Sequence, residues 1–252
     1  MKPVTVRNLT IGAGMPKICV PLVGMTEKEI VNEAKSIKNL PVDLVEWRAD
    51  WFEYVFDKEK VMAVLQSLRE ELDDMPILFT FRTKNEGGEK EIDITIYEEL
   101  LLSVAQSGYV DLVDVEVFMD DCTKTLIEKI HTTEAKVVGS NHDFSKTPSK
   151  EEIIRRLRFM QEIDADIPKI AVMPQCKEDV QILMDATKEM SQEYAERPIV
   201  TMSMGEVGRE SRIKGEVFGS AVTFGSLKKA SAPGQIEVSE LKKMLEETHK
   251  AL

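Results

Sequence analysis

Eight short runs rich in β-branched and aromatic residues recur along the chain, and their rhythm constrains the fold more than any other feature. They are KICVPLVG (17–24), VDLVEWRAD (42–50), PILFTFR (76–82) and YVDLVDVEVF (109–118), then KVVGSNHDF (136–144), DIPKIAVMP (166–174), PIVTMSMG (198–205) and AVTFGSL (221–227). Their starts lie 23 to 34 residues apart, room for one strand, one helix and two loops each. Between them, EKEIVNEAKSIKNL (27–40) and KEEIIRRLRFMQEI (150–163) carry apolar residues at helical spacing. The second follows a start signal, Thr147-Pro148-Ser149, with Glu151 and Glu152 in its first turn. Eight such units in 252 residues predict an α/β fold, a (β/α)8 TIM barrel forming one domain over residues 1–252. The preceding segment VTVRNLTIGAG (4–14) reads as a β-hairpin closing the bottom of the barrel. An open doubly wound sheet is the alternative, but it usually begins on a glycine-rich phosphate loop. Here the first βα turn, PLVGMTEKE, has a single glycine, and no G-x-G-x-x-G follows any strand.

Charge and composition narrow the function. Thirty-three Lys and Arg against 45 Asp and Glu leave a net charge of −12, which argues against nucleic acid or an anionic membrane as partner. It leaves an anionic small molecule open, because a local arginine cluster can override the global field. No apolar run approaches the ~20 residues of a membrane span, and the N-terminus has no signal-peptide core, so a cytoplasmic protein is expected. Cys19, Cys122 and Cys176 are far apart and form no C-x-x-C pair, so neither a disulfide framework nor a zinc site is indicated. No histidine pair stands at metal-ligand spacing, and lysine and arginine at the same mouth would repel Mg²⁺.

In such barrels the active site lies at the C-terminal ends of the strands. Side chains alternate along a strand, so the inward face can be read by parity. In DIPKIAVMP, Ile170 and Val172 suit packing against helices, which turns Lys169 into the interior. The same reading groups Glu46, Arg48 and Asp50, Thr80 and Arg82, Asp114 and Glu116, Ser140 and His142, and Met202 and Met204.

A free lysine has a pKa of about 10.4 and is almost wholly protonated at neutral pH. Apolar walls and neighbouring cations disfavour the ammonium and make the amine a nucleophile toward a carbonyl. The alternative is a lysine tied up in a salt bridge to Glu116 or Asp114. His142 alone among the three histidines ends a strand, and its imidazole suits proton transfer near neutrality. Glu86, four residues beyond Arg82, is placed to orient that imidazole; the alternative is a solvated loop acid. Arg48, Arg82 and Arg212 offer planar forks for a carboxylate, although Arg212 also reads as a helix-surface arginine. The segment KKASAPGQIEV (228–238), with Ser231 and Gln235, fits a mobile lid or an ordinary connector.

At this point the chain resembles the type I 3-dehydroquinate dehydratases of the shikimate pathway, over essentially its whole length. The likeness rests on EWRAD (46–50), LFTFRTKNEGGE (78–89), SNHDFSKTP (140–148), ADIPKIAVMPQ (165–175), TMSMGEVGRESR (201–212), FGSAVTFG (218–225) and SAPGQI (231–236). The resemblance implies a barrel that forms a Schiff base between Lys169 and the ring ketone of 3-dehydroquinate. It implies His142 as general acid and base, Glu86 as its support, Arg212 as the carboxylate-binding arginine, and Glu46, Arg48 and Arg82 as hydroxyl-binding and positioning residues. Ser231 and Gln235 match the family's lid contacts. No dissociable cofactor or metal is implied, and a homodimer is. One departure is Pro21, which stands where several relatives have serine, so no side-chain contact is carried to that position. Two other readings stand beside this one: a class I aldolase, which also uses a barrel lysine, and a catalytically silent barrel kept for binding.

Overall fold

The structure, a computed structural model, describes residues 1–120, 122–227 and 232–252. The expected hairpin is present as β1 (Val4–Val6) and β2 (Leu9–Ile11), paired antiparallel. Then strands and helices alternate: β3 (Lys17–Leu22), α1 (Glu27–Ile37), β4 (Leu44–Arg48), α2 (Lys58–Leu72), β5 (Ile77–Thr80), α3 (Ile94–Gln106), β6 (Leu112–Glu116) and α4 (Thr123–Ile130). They continue as β7 (Lys136–Asp143), α5 (Lys150–Glu162), β8 (Ile167–Val172), α6 (Lys177–Glu189) and β9 (Val200–Ser203). The chain ends with α7 (Arg209–Ile213), α8 (Gly215–Phe218), β10 (Val222–Ser226), β11 (Ile236–Glu237) and α9 (Val238–Lys250).

Helix starts follow local chemistry. Thr26 and Glu29 form a capping box at α1, and Ser149 accepts the Glu152 N–H at α5, where the sequence placed its start signal. The last interval departs from one helix per unit, because two short helices, α7 and α8, lie between β9 and β10. Gly219, in a left-handed conformation that glycine tolerates, ends α8.

Strands β3 to β9 pair in parallel in chain order, and β10 pairs with β3. The seam between β9 and β10 is closed by a parallel bridge, Ile199 to Ser220, and by the Ala221 N–H donating to the Ile199 carbonyl at 2.8 Å. The eight strands β3 to β10 thus form a TIM-type barrel, and β11 adds a two-residue strand to the end of β10.

Alternation divides the apolar core in two. Odd positions such as Val45, Trp47, Phe79, Val113 and Val115 pack outward against the helices. Leu44, Leu78, Leu112, Val138, Ile167, Val200 and Val222 point inward near the strand beginnings, joined by Val6 and Ile11 of the hairpin. The hairpin therefore caps the bottom of the barrel with apolar side chains, and the mouth at the other end is left for polar ones. Among the described residues no helix is long and apolar enough to cross a membrane.

Candidate active site

One residue pair up each strand from the apolar plug, the interior becomes charged. Glu46 and Arg48 of β4, Thr80 of β5, Asp114 and Glu116 of β6, Ser140 of β7 and Lys169 of β8 are all buried. Ionised groups are rarely buried unless paired, and here nearly all are. Arg82, just past β5, is the hub: its Nη1 donates to Glu116 at 2.9 Å, to the Ser140 hydroxyl at 3.0 Å and to Glu86 at 3.3 Å, and its Nη2 donates to Asp114 at 2.8 Å. Glu116 also accepts the Thr83 N–H and hydroxyl. Arg48 forms a two-pronged pair with Asp50, which in turn accepts the Arg82 and Glu89 N–H groups and ties the loop after β5 to β4.

Lys169 Nζ lies 3.2 Å from Asp114 Oδ2, 3.6 Å from Glu46 Oε1 and 4.8 Å from the centre of the Phe224 ring. The alternative of a salt-bridged lysine is therefore met at Asp114, whereas Glu116 is taken by Arg82 and Thr83. Burial works against the Asp114 carboxylate, yet Arg82 and Lys169 hold its pKa below the usual range. Glu46 is steadied by the Thr80 hydroxyl at 2.9 Å.

Glu86 is no solvated loop acid. It ends a one-turn 3-10 helix, Lys84–Glu86, and is buried. Gly87 follows in a left-handed conformation, where a Cβ would also collide with the Phe144 ring; a Cβ on Gly88 would strike the Arg82 carbonyl. The two glycines of "NEGGE" thus let the turn fold Glu86 back onto β7. There Glu86 Oε2 accepts the backbone N–H of His142 at 3.0 Å and lies 2.9 Å from His142 Nδ1. The His142 side chain is only 11% exposed. Burial, then the cations Arg82, Lys169 and Arg48, hold its pKa well below the ordinary histidine value, so the ring is neutral and able to take a proton. Burial and the neighbouring Glu116 push the Glu86 carboxyl up to about 8, while Arg82 and Asn141 pull the other way.

Arg212 differs from every other buried cation. It sits on α7 with its side chain turned inside, so the surface-helix alternative does not apply. Among the described residues it has no carboxylate partner: Nη1 lies 3.8 Å from Met202 Sδ, Nη2 donates to the Pro233 carbonyl at 3.2 Å, and Nε has no acceptor. Desolvation alone brings its pKa down to about 10.

Glu46, Arg48, Arg82, Glu86, His142, Lys169, Arg212 and Gln235 line one cavity of about 480 Å³ including its mouth, with Phe144, Ala171, Met202, Met204, Phe224 and Ala232. Pro233 and Gly234, between the cavity-lining Ala232 and Gln235, are tied to the loop after β9: the Gly205 N–H donates to the Pro233 carbonyl at 3.1 Å, and a Cβ on Gly234 would strike the Gly205 carbonyl. Eight of the nine residues singled out from sequence therefore meet at one site; the ninth, Ser231, lies outside the described residues. Sequence reading passed over Phe224 and Phe144. Phe224 was accessible to the same parity argument, two residues beyond Val222, whereas Phe144 lies past the end of β7 where alternation stops. Among the described residues no cluster of His, Cys, Asp and Glu suits a metal ion, and the three cysteines are free.

Comparison with known proteins places this arrangement. The family described as type I 3-dehydroquinase matches residues 18–251. A 3-dehydroquinate dehydratase of Clostridium botulinum is 54% identical over 98% of this chain and 97% of its own length. Among solved structures, a type I 3-dehydroquinate dehydratase from Clostridium difficile carrying covalent modified comenic acid superposes with a TM-score of 0.97 at 51% identity, covering 100% of this chain and 99% of that one. A 3-dehydroquinate dehydratase from Geobacillus kaustophilus gives 0.96 at 37% identity over 99% and 97% of the two chains. Matches of this extent set aside the aldolase alternative, and the chain belongs to the type I 3-dehydroquinases.

Proposed function

We propose that the protein dehydrates 3-dehydroquinate to 3-dehydroshikimate through an imine on Lys169, in aromatic amino acid biosynthesis, as a cytoplasmic enzyme built from one barrel domain and paired as a homodimer. The observation that carries the substrate reading is Arg212, a buried guanidinium without an anionic partner among the described residues. A desolvated, unpaired cation is unfavourable by several kcal/mol, and a substrate carboxylate supplies the missing charge with two-pronged geometry.

The chemistry follows from the neighbours of Arg212 in the cavity. The amine of Lys169 adds to the ring ketone, and loss of water leaves an iminium. That cation draws electrons from the adjacent C–H bond. Neutral His142, steadied through Nδ1 by Glu86, removes the proton and then passes a proton to the departing hydroxyl, which leaves as water. A second water hydrolyses the imine and frees Lys169, so the net change is loss of one water. Asp114 and Glu46 flank the lysine and are placed to take up its charge changes. Arg48 and Arg82 line the cavity, but their hydrogen bonds go largely to carboxylates of the protein, so they act mainly by holding the site's shape. Gln235, which lines the cavity, meets the ring hydroxyls. The C. difficile relative's covalent modification supports a reactive nucleophile in this family.

The test is intact mass after mixing the protein with 3-dehydroquinate and borohydride, followed by peptide mapping. Borohydride reduces an imine to a stable amine. The expected result is one ligand-derived adduct on the peptide containing Lys169. A folded protein that turns over substrate yet yields no adduct there would overturn the imine step.

A further inference from the structure

Glu86 is gripped from both sides, and only one side belongs to the chemistry above. Its Oε2 faces His142. Its Oε1 accepts from Asn141 Nδ2 at 2.9 Å. Asn141 is an outward position on β7, off the face that parity assigns to the barrel interior, yet it reaches Glu86 because the turn Lys84–Glu86 folds over that strand. The amide of Asn141 is itself fixed. Arg156 Nη1, from α5, donates to Asn141 Oδ1 at 2.9 Å, which leaves the NH₂ group to face the carboxylate. Arg156 is held in turn by Glu152, one turn earlier on the same helix, through Nε at 2.7 Å. A continuous chain of hydrogen bonds therefore runs from the solvent face of α5 to the imidazole: Glu152, Arg156, Asn141, Glu86, His142.

We infer that Asn141 and Arg156 are positioning residues for turnover, Arg156 locking the amide of Asn141 and Asn141 orienting Glu86 against His142 and favouring its ionised form. This rests on the reading of His142 as the base. A donor to a carboxylate favours the charged form. The active base is the pair in which Glu86 is ionised and His142 neutral, because only then can the ring accept a proton and have its charge matched. Arg82 donates to Glu86 from the other side, while Glu116 and Asp114 of β6 oppose its ionisation. Lys169 and Arg48 act on the ring from β8 and β4. Asp143 lies 3.9 Å from Arg156 and its other oxygen is taken by Ser145 and Lys146. Within this set Asn141 is the neutral donor that tips the pair toward its active form.

The experiment compares Asn141→Ala, Arg156→Met and Arg156→Lys with the parent enzyme, each checked for folding. For Asn141→Ala, kcat at pH 7 is expected to fall about tenfold and the acidic limb of the kcat–pH profile to move up by about one unit, the two being the same shift seen twice. KM stays within about twofold, and the borohydride adduct on Lys169 still forms. Arg156→Met, at a position 20% exposed on α5, gives a smaller fall of about threefold in the same direction, and Arg156→Lys restores most of it. A histidine ¹⁵N titration of the ligand-free protein, simplified by having only three histidines, supplies a readout independent of turnover. His142 should become imidazolium at lower pH in Asn141→Ala than in the parent. An unmoved acidic limb together with an unmoved His142 titration would overturn the proposal. A moved titration with unchanged turnover, in a protein that His142→Ala also leaves active, would overturn the reading of His142 as base on which the proposal rests.

Discussion

The two ends of the barrel use the same alternation for opposite purposes. At the bottom, Leu44, Leu78 and Leu112 pack inward against Val6 and Ile11 of the hairpin. On the same faces of the same strands, Glu46, Thr80 and Asp114 occupy the next inward positions, with Arg48 and Glu116 above them and Arg82 just past the end of β5. A rise of about 7 Å per inward pair separates a sealed apolar plug from a charged cluster. The plug stabilises by removing apolar surface from water. The cluster is tolerated because its charges neutralise one another, and among the described residues Arg212 is left without a carboxylate. The difference teaches where function can be put: in the layer where burial is expensive and partners are specific, supported by a layer where burial is favourable and partners are interchangeable.

The sharpest way to break this comparison is at Lys169. Lys169→Ala should lower kcat by a factor on the order of 10⁴ or more, because no other amine replaces the imine-forming one. Retained turnover in steady-state assays would mean that the charged layer is only structural. Arg212→Met should come next, with kcat/KM reduced about 10²- to 10³-fold, mostly through KM, since truncating one partner of a buried charge pair typically costs about 2–5 kcal/mol. Its effect on the ligand-free protein should have the opposite sign. Removing a buried guanidinium that lacks a counter-ion among the described residues should leave denaturant stability unchanged or raise it by about 1 kcal/mol. A loss of stability there would show that Arg212 is paired in a way this reading omits.

The bottom layer is expected to behave in reverse. Ile11→Ala removes a fully buried side chain from the plug and should lower the unfolding free energy by about 2–5 kcal/mol. Because Ile11 belongs to the apolar layer beneath the charged one and does not line the cavity, kcat in the folded fraction should change by less than about twofold. A large fall in kcat with stability intact would mean that the hairpin sets the geometry of the mouth.

Much of this was legible in the sequence, for a physical reason. Strands buried on both faces still alternate, so parity alone assigned Lys169, His142 and Glu46 to one interior, and a regular strand spacing assigned them to one end. Partners were less legible than faces. Nothing in the spacing told Asp114 from Glu116 as the neighbour of Lys169, because that choice depends on Arg82 reaching across from a loop and occupying Glu116. Asn141 was hidden altogether: parity sends it outward, and only the fold-back of the Lys84–Glu86 turn brings Glu86 to it. The second helix between β9 and β10 was hidden too, since α7 and α8 have five and four residues, too few to show a period.

The smallest effect tests the electrostatics of the upper layer in the absence of ligand. Burial and Glu116 raise the Glu86 carboxyl to about 8 from an ordinary value near 4.5. Between those values the native protein binds a proton that the unfolded chain has released, so this contribution to stability is present at low pH and lost as pH rises through about 8. His142 works the other way. Its native pKa is depressed, so the unfolded chain binds a proton below about 6.5 that the native protein refuses, and that contribution is lost as pH falls. The two oppose each other below about 6.5, and above it Glu86 acts without that opposition. His131, whose pKa is raised by its hydrogen bond to Asp166, adds to the same trend. The unfolding free energy should therefore decline from about pH 6.5 to about pH 8, with Glu86 contributing at most about 1.4 kcal/mol per pH unit. Glu86→Gln removes that share and keeps the share of His131. Denaturant curves at several pH values in this window should show a flatter slope for the variant, and equal slopes in the two proteins would mean that Glu86 is already ionised throughout, held so by Arg82 and Asn141.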